Sequence, residues 1–307
     1  MFFFFSRFIF GLTDIFSKLF CKIAGKSILL PKISIVNIEH KNSKGVLIIS
    51  LLVAVLSACC AILGFWDKNL YGSVIETGVF KMAFMPGTIS QDIVSIVSSI
   101  SMMCLIVLYI KSKDSRVLIS IIGLLSFYFY GYGTYVISAL FTSVYLVYML
   151  IFTLSLFGLI IGISGFCSDS VKNLHLPKWI RISNIIFLAI IVFIFTSKWT
   201  IDLIPYTKSH TVPDFYAIYI LDLCVILPCF MVIIYLLIKN IQFAYILLGV
   251  ALLKTFTLIL SVSIGSLIAP AYGTQDEAGM IVTYCAVTLI SMVLFTLYCR
   301  NLRQSNF

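Results

Sequence analysis

The stretch YAIYILDLCVILPCFMVIIYLLI, residues 216–238, decides the fold, because Asp222 is its only charged side chain. An apolar helix of about 20 residues is long enough to cross the roughly 30 Å hydrocarbon core of a bilayer. Seven further apolar blocks flank it. They predict spans near 45–65, 90–110, 116–137, 141–165, 181–198, 216–238, 241–267 and 279–299, which we call spans 1 to 8.

The composition agrees with this pattern. The 307 residues are 61% hydrophobic and 11% charged, whereas soluble domains carry about 25% charged residues. So few charges cannot cover a water-soluble fold of this length. We therefore predict an all-α, polytopic membrane helix bundle with the lipid bilayer as its main partner.

The basic residues predict the orientation. Sixteen Lys and Arg residues lie before span 1, after span 8 and in the loops after spans 2, 4 and 6, against four in the other loops. Basic loops stay in the cytoplasm, so both termini are predicted to be cytoplasmic and the chain to lie in the cell membrane. This bias also explains the net charge of +9, and we expect no nucleic-acid partner.

The segment 1–44 precedes the predicted transmembrane domain, 45–299, and a short cytoplasmic tail, 300–307, follows it. No basic stretch or cleavage site marks a cleaved signal peptide. Apolar residues recur at helical spacing on one face: Leu12, Ile15, Phe16, Leu19, Phe20 and Ile23. This pattern predicts a basic amphipathic helix in the headgroup plane, or one packed on the cytoplasmic end of the bundle.

The chain also carries signs of an internal duplication, with repeats 45–167 and 181–299. Each half places an acid near the outer end of its second span, Asp92 or Asp222, and ends its fourth span near a cysteine, Cys167 or Cys299. The intervals from acid to cysteine are 75 and 77 residues. Four spans is an even number, so the two halves would share one orientation, related by an axis along the membrane normal. Chance similarity between apolar helices is the alternative.

Three charged residues fall inside predicted spans, where charge costs several kcal/mol unless it is solvated or paired. Thr88 to Gln91 resembles a capping box that begins span 2, which would place Asp92 in the first helical turn. Asp222 lies about two turns inside span 6, near Pro228, which weakens the helical ladder. These positions make Asp222 the better candidate for a proton or cation site, with a satisfied structural contact as the alternative.

Lys254 lies near the middle of span 7. Side chains lean toward the helix N-terminus, so Lys254 and Asp222 would lean apart, and Tyr128 or Tyr130 of span 3 is an equally good partner. The polar stripes together suggest a cavity open to the outside. Our predicted substrate or ion pathway therefore comprises Asp222, Lys254, Asp92, Tyr128 and Tyr130.

Enzyme motifs are absent from the sequence. HExxH, GxSxG, GxGxxG and P-loop patterns do not occur, and the three His residues lie in predicted loops. We nominate no catalytic residue, cofactor or metal ligand. The leading expectation is a carrier or channel for a small solute or ion. A non-transporting membrane subunit is the alternative, and a lipid-modifying enzyme the third reading.

Two regions resemble an uncharacterised family of prokaryotic multi-pass membrane proteins. One runs from Gln91-Asp92 through the tyrosine-rich span 3 to Ser155-Leu156, including Tyr145 to Tyr148, and the other from Leu221-Asp222 to Lys254. The resemblance covers about half the chain, and its motifs are mostly apolar. The Phe-rich N-terminal segment departs from the family pattern. The resemblance implies an integral membrane protein and no particular activity.

Overall fold

The computed structural model describes residues 35–67, 69–76, 82–274 and 278–304. The amphipathic helix predicted between Leu12 and Ile23 lies outside these residues. Eight helices in the described ranges are long and apolar enough to cross a membrane: Ser43–Trp66, Met85–Ser112, Ser115–Ile137, Tyr145–Ser164, Lys178–Ser209, Tyr216–Ile238, Phe243–Tyr272 and Met280–Asn301. The predicted multi-pass helix bundle is confirmed, and these helices are spans 1 to 8.

Most boundaries agree with the sequence to within a few residues, but two do not. Span 2 begins at Met85 and not at the predicted capping box. Pro86 occupies its first turn, and the Thr88 hydroxyl donates back to the Phe84 carbonyl (3.1 Å) as an interior helical threonine does. Span 5 continues to Ser209, past the predicted end at residue 198 and through Pro205.

Shorter elements join the spans. Helices Asn69–Glu76 and Ser168–Val171 and the 3-10 turns Met82–Phe84 and Ala269–Tyr272 lie at span ends. Strand β1, Leu174–His175, pairs antiparallel with β2, Arg303–Gln304. The predicted tail is therefore attached to the loop between spans 4 and 5, which the sequence did not indicate.

Spans 3 and 7 form the centre of the bundle. In the most apolar 18-residue stretch of each span, about 83% of span 3 and 78% of span 7 is buried, against 17–39% in the other six spans. Gly123 of span 3 packs against Leu253 of span 7. A Cβ added at Gly123 would lie 3.0 Å from the Leu253 Cβ. Small residues allow such close helix contacts in membranes.

The packing has the pattern that a 4+4 duplication predicts. In the first half span 1 contacts spans 2 and 4, and span 3 contacts spans 2 and 4. In the second half span 5 contacts spans 6 and 8, and span 7 contacts spans 6 and 8. The same interval in sequence separates three pairs of residues: Asp92 and Asp222, Ile119 and Gly249, and Gly123 and Leu253. The last two pairs are contacts between spans 3 and 7, which is the arrangement expected if an axis relating the two halves passed between these spans.

The segment before span 1 crosses the predicted cytoplasmic end of the bundle. The Ser115 N–H donates to the Val36 carbonyl (2.7 Å), and the Cys167 N–H donates to the Glu39 carbonyl (3.0 Å). His40 Nε2 lies 2.8 Å from the Gly162 carbonyl oxygen, and the Asn42 N–H donates to Nδ1 (3.3 Å). These contacts connect the ends of spans 3 and 4 to one short strap.

Candidate functional site

Asp222 lies on a distorted turn of span 6. The helix is regular from Tyr216 to Leu221, forms a π-helical turn over Asp222–Ile226, and continues as α-helix from Leu227. Pro228, which follows at once, has no N–H to donate, so the preceding ladder cannot close as α-helix. The weakened ladder predicted near Pro228 is confirmed. π-helical turns of this kind are frequent at functional sites.

Two aromatic side chains interact with the Asp222 carboxylate. The Trp199 indole N–H of span 5 donates to Asp222 Oδ2 (2.9 Å). The Tyr130 hydroxyl of span 3 interacts with the same side chain. Trp199 lies just past residue 198, where the sequence predicts the end of span 5. Its helix continues past the predicted end, and this extension holds the indole beside the acid.

Lys254 lies across from Asp222, on span 7. It is 3% exposed, and its ammonium lies over the ring of Tyr130, 4.3 Å from the centroid, and 5.8 Å from that of Phe230. Lys254 interacts electrostatically with Asp222, but the two form no direct ion pair. Within the described part of the chain, the ammonium has no hydrogen-bond acceptor. Tyr130 therefore separates the two charges, with its ring under Lys254 and its hydroxyl toward Asp222.

Asp222 and Lys254 line one cavity of about 40 Å³ between spans 5, 6 and 7. Its other lining residues are Ile191, Phe195, Ile226, Leu227, Phe230, Thr255, Leu258 and Ile259. Thr255 is 4% exposed, and no described residue accepts or donates a hydrogen bond at its hydroxyl. At about 10–15 Å³ per water, the space holds roughly two or three waters or one small ion.

Asp92 and Tyr128 do not line this cavity. Tyr128 forms a hydroxyl cluster with spans 1 and 2: its Oη lies 2.8 Å from Ser99 Oγ and donates to the Ser95 carbonyl (3.1 Å), and Ser99 Oγ lies 2.8 Å from Ser57 Oγ. These bonds satisfy Tyr128 and connect three helices. The five predicted residues thus divide between two regions, because spans 2 and 6 lie on opposite sides of the central pair.

Asp92 is buried about two turns inside span 2, and not in the first turn as predicted from the capping box. It is 2% exposed, and the Tyr71 hydroxyl donates to its Oδ2 (2.7 Å). Tyr71 belongs to the short helix after span 1. Gly64 allows this contact, because a Cβ at that position would lie 2.4 Å from Asp92 Oδ2. The sequence did not identify Tyr71 as a partner.

Comparison with known proteins identifies no family for this chain. The chain matches no family model, no curated protein and no solved structure. The described residues contain no group of three or more His, Cys, Asp and Glu residues placed to bind a metal ion. The arrangement around Asp222 offers one negative and one positive group at a small cavity, which can bind charged groups of complementary sign.

Proposed function

We propose that this protein is a membrane carrier or channel for a small solute or ion, with Asp222, Lys254 and Tyr130 at its binding site. We also propose that it lies in the cell membrane with both termini in the cytoplasm. The orientation is supported by the sixteen-to-four distribution of Lys and Arg between alternate loops, since basic loops are retained on the cytoplasmic side.

The observation that carries the proposal is the state of Lys254. A charged side chain buried in a membrane is almost always paired or solvated. Lys254 has an aromatic face below it but no acceptor among the described residues, and it shares a cavity with an acid. A purely structural lysine would be expected to pair directly with that acid. The unfilled acceptor position therefore supports a role in holding a bound group.

The charges define the class of ligand. Lys254 would bind an anion or an anionic group, and Asp222 would bind a cation or a hydrogen-bond donor. A small ion fits the cavity of about 40 Å³ as it stands, and a larger zwitterion requires the three lining spans to separate. The π-helical turn beside Pro228 is the weakest part of that wall.

The alternative is a non-transporting membrane subunit. Trp199 and Tyr130 both interact with Asp222, and two aromatic faces surround Lys254, as in a cluster that holds helices together. A lipid-modifying enzyme has less support, because the Thr255 hydroxyl at the cavity forms no hydrogen bond with Asp222, Lys254 or another described residue that could act as its base.

Uptake into proteoliposomes tests the proposal. We would measure entry of labelled glycine, acetate, methylammonium and chloride with purified protein. At least one probe should enter faster than into protein-free vesicles, and Asp222→Asn or Lys254→Met should slow it about tenfold or more. Losing one charge-assisted contact costs about 1.5–3 kcal/mol, and 1.4 kcal/mol is tenfold.

The matched controls are Asp202→Asn and Lys198→Met. These two residues form a half-exposed ion pair (3.1 Å) on span 5, away from the cavity lining, so uptake should persist. Uptake at the wild-type rate by both cavity variants, Asp222→Asn and Lys254→Met, would contradict the proposal. If no probe enters, and a small water-soluble imidoester leaves Lys254 unmodified by mass spectrometry, the structural alternative stands.

A further inference from the structure

Asp92 is a second buried acid that the proposed cavity does not use. Its one hydrogen-bond donor is Tyr71, on a helix that lies over the end of span 2. The side chain is 2% exposed. It lies at the position equivalent to Asp222 in the other half, but its surroundings are different.

No cation offsets the charge of Asp92 among the described residues. The titratable groups that interact with it are Cys60 of span 1, Tyr71 of the short helix, Tyr132 and Tyr135 of span 3, and Tyr148 of span 4. All of these are neutral at physiological pH. From span 7, Ser261 contacts Ser90 and Gln91, and Gly265 packs against Ser90; neither residue of span 7 carries a charge. One phenol does not offset the several kcal/mol that an unpaired carboxylate costs in hydrocarbon.

A row of hydroxyl groups runs from Asp92 toward the loop between spans 3 and 4. Tyr71 donates to Asp92, and the Tyr148 and Thr142 hydroxyls come next in the row, without direct hydrogen bonds that join them to it. Thr142 belongs to that loop, at the predicted outer end. Thr142 and Tyr148 are 7% and 1% exposed, and neither hydroxyl completes a hydrogen bond with a described residue. Buried hydroxyls without partners indicate bridging water.

We propose that Asp92 is a proton-binding site, filled from the outer end through Thr142, Tyr148 and Tyr71, and that its proton is the coupling ion of the carrier. The coupling role rests on the proposed function, whereas the binding of a proton does not. The surroundings offer one thiol, Cys60, several hydroxyl groups and a single carboxyl group, and hydroxyl groups arranged in a row suit the transfer of a proton.

Infrared spectroscopy of the full-length protein in lipid nanodiscs tests proton binding directly. A protonated carboxyl group gives a C=O stretching band that a carboxylate lacks. Wild-type protein at neutral pH should show this band. Asp92→Asn should remove most of its intensity, and Asp222→Asn should leave a band attributable to Asp92. A wild-type spectrum without the band, or one that Asp92→Asn leaves unchanged, would overturn the proposal.

A second pair of variants covers the case in which Asp92→Asn does not fold. Tyr71→Phe keeps the acid but removes its donor, so the band should shift in frequency. Tyr145→Phe is the matched control, because the Tyr145 hydroxyl donates to the Val136 carbonyl (2.9 Å) and not to this row; the band should stay in place. A band that changes with Na⁺ at fixed pH would assign the site to a metal cation and overturn the proposal.

Uptake measurements separate the two claims. For any probe that the wild type transports, Asp92→Asn should abolish the acceleration of uptake by an inward pH gradient. Uptake that keeps its response to the gradient would overturn the coupling role alone. Absence of all uptake would contradict the proposed function and with it the coupling, while the infrared result would still decide proton binding.

Discussion

The two halves of the bundle each bury one acid with an aromatic donor, but among the described residues only Asp222 has a cation nearby. Asp92 has the Tyr71 hydroxyl and a shell of phenols, whereas Asp222 has the Trp199 indole, Tyr130 and, across a cavity, Lys254. The comparison teaches that two buried carboxyl groups in one bundle can lie in different electrostatic settings. The first setting suits the proton binding proposed for Asp92, and the second places a positive charge near the Asp222 carboxyl group.

The largest expected effect on this comparison is from Gly64→Ala in span 1. The new Cβ would lie 2.4 Å from Asp92 Oδ2 and 2.5 Å from the Tyr71 hydroxyl, so the pair would have to separate. Overpacking of a buried site costs about 1–3 kcal/mol. The thermal unfolding temperature in detergent should fall. Gly45→Ala in the same helix meets no atom within 4 Å and should leave it unchanged; equal effects would contradict the close contact.

A smaller effect should distinguish the two acids by their donors. A hydrogen bond to a charged group contributes about 1.5–3 kcal/mol and one between neutral groups about 0.5–1.5. Trp199→Phe should therefore destabilise the protein more than Tyr71→Phe does, as measured by chemical unfolding.

Each substitution should be repeated with its acid changed to Asn, which isolates the donor–acid coupling from lost packing. A coupling free energy for Tyr71–Asp92 equal to or above that for Trp199–Asp222 would contradict the assignment of a neutral acid to the first half.

The sequence predicted the helices well because lipid imposes a strong constraint on them. Eight apolar blocks and alternating basic loops leave few other arrangements, and the bounds of span 6 agree with the structure. The capping box at Thr88 failed because a four-residue signal is weak beside a helix that already begins at Met85, with Pro86 in its first turn. From the direction in which side chains lean, the sequence indicated Tyr128 or Tyr130 as partners of Lys254 as good as Asp222, and the structure places Tyr130 beside it.

The site was less predictable than the fold. Asp222, Lys254 and Tyr130 lie together, but Asp92 and Tyr128 contact the helices of the first half instead. The sequence does not reveal which side of a central helix each polar residue faces. Tyr71 and Trp199 are aromatic residues near span ends, where belts are common. Only the tertiary packing identifies them as donors to buried acids.

The smallest expected effect comes from His40. Its titration also contributes to the pH dependence of stability and must be separated from that of the two acids. Burial lowers the pKa of His40 below its ordinary 6.5, and the hydrogen bond to the Gly162 carbonyl partly offsets this. The unfolded chain binds the proton more readily, so the stabilisation is complete above about pH 6.5 and is lost as pH falls through that value.

The pH dependence of unfolding should therefore become weaker in His40→Gln between neutral and mildly acidic pH. His175→Gln is the control, since His175 is exposed. If His40→Gln lost as much stability in acid as the wild type does, groups other than His40, Asp92 among them, would be responsible for that loss.

The π-helical turn at Asp222–Ile226 has a consequence for the rest of span 6. Such a turn holds more residues than an α-turn, and each residue of an α-helix advances the side-chain direction by about 100°. The side chains after the turn therefore point in different directions from those that they would have in a continuous α-helix. The segment before the turn can direct Asp222 toward Trp199 while the segment after it directs Leu237 into the protein interior. Removing the extra residue would restore a regular helix and rotate one of these two faces toward lipid.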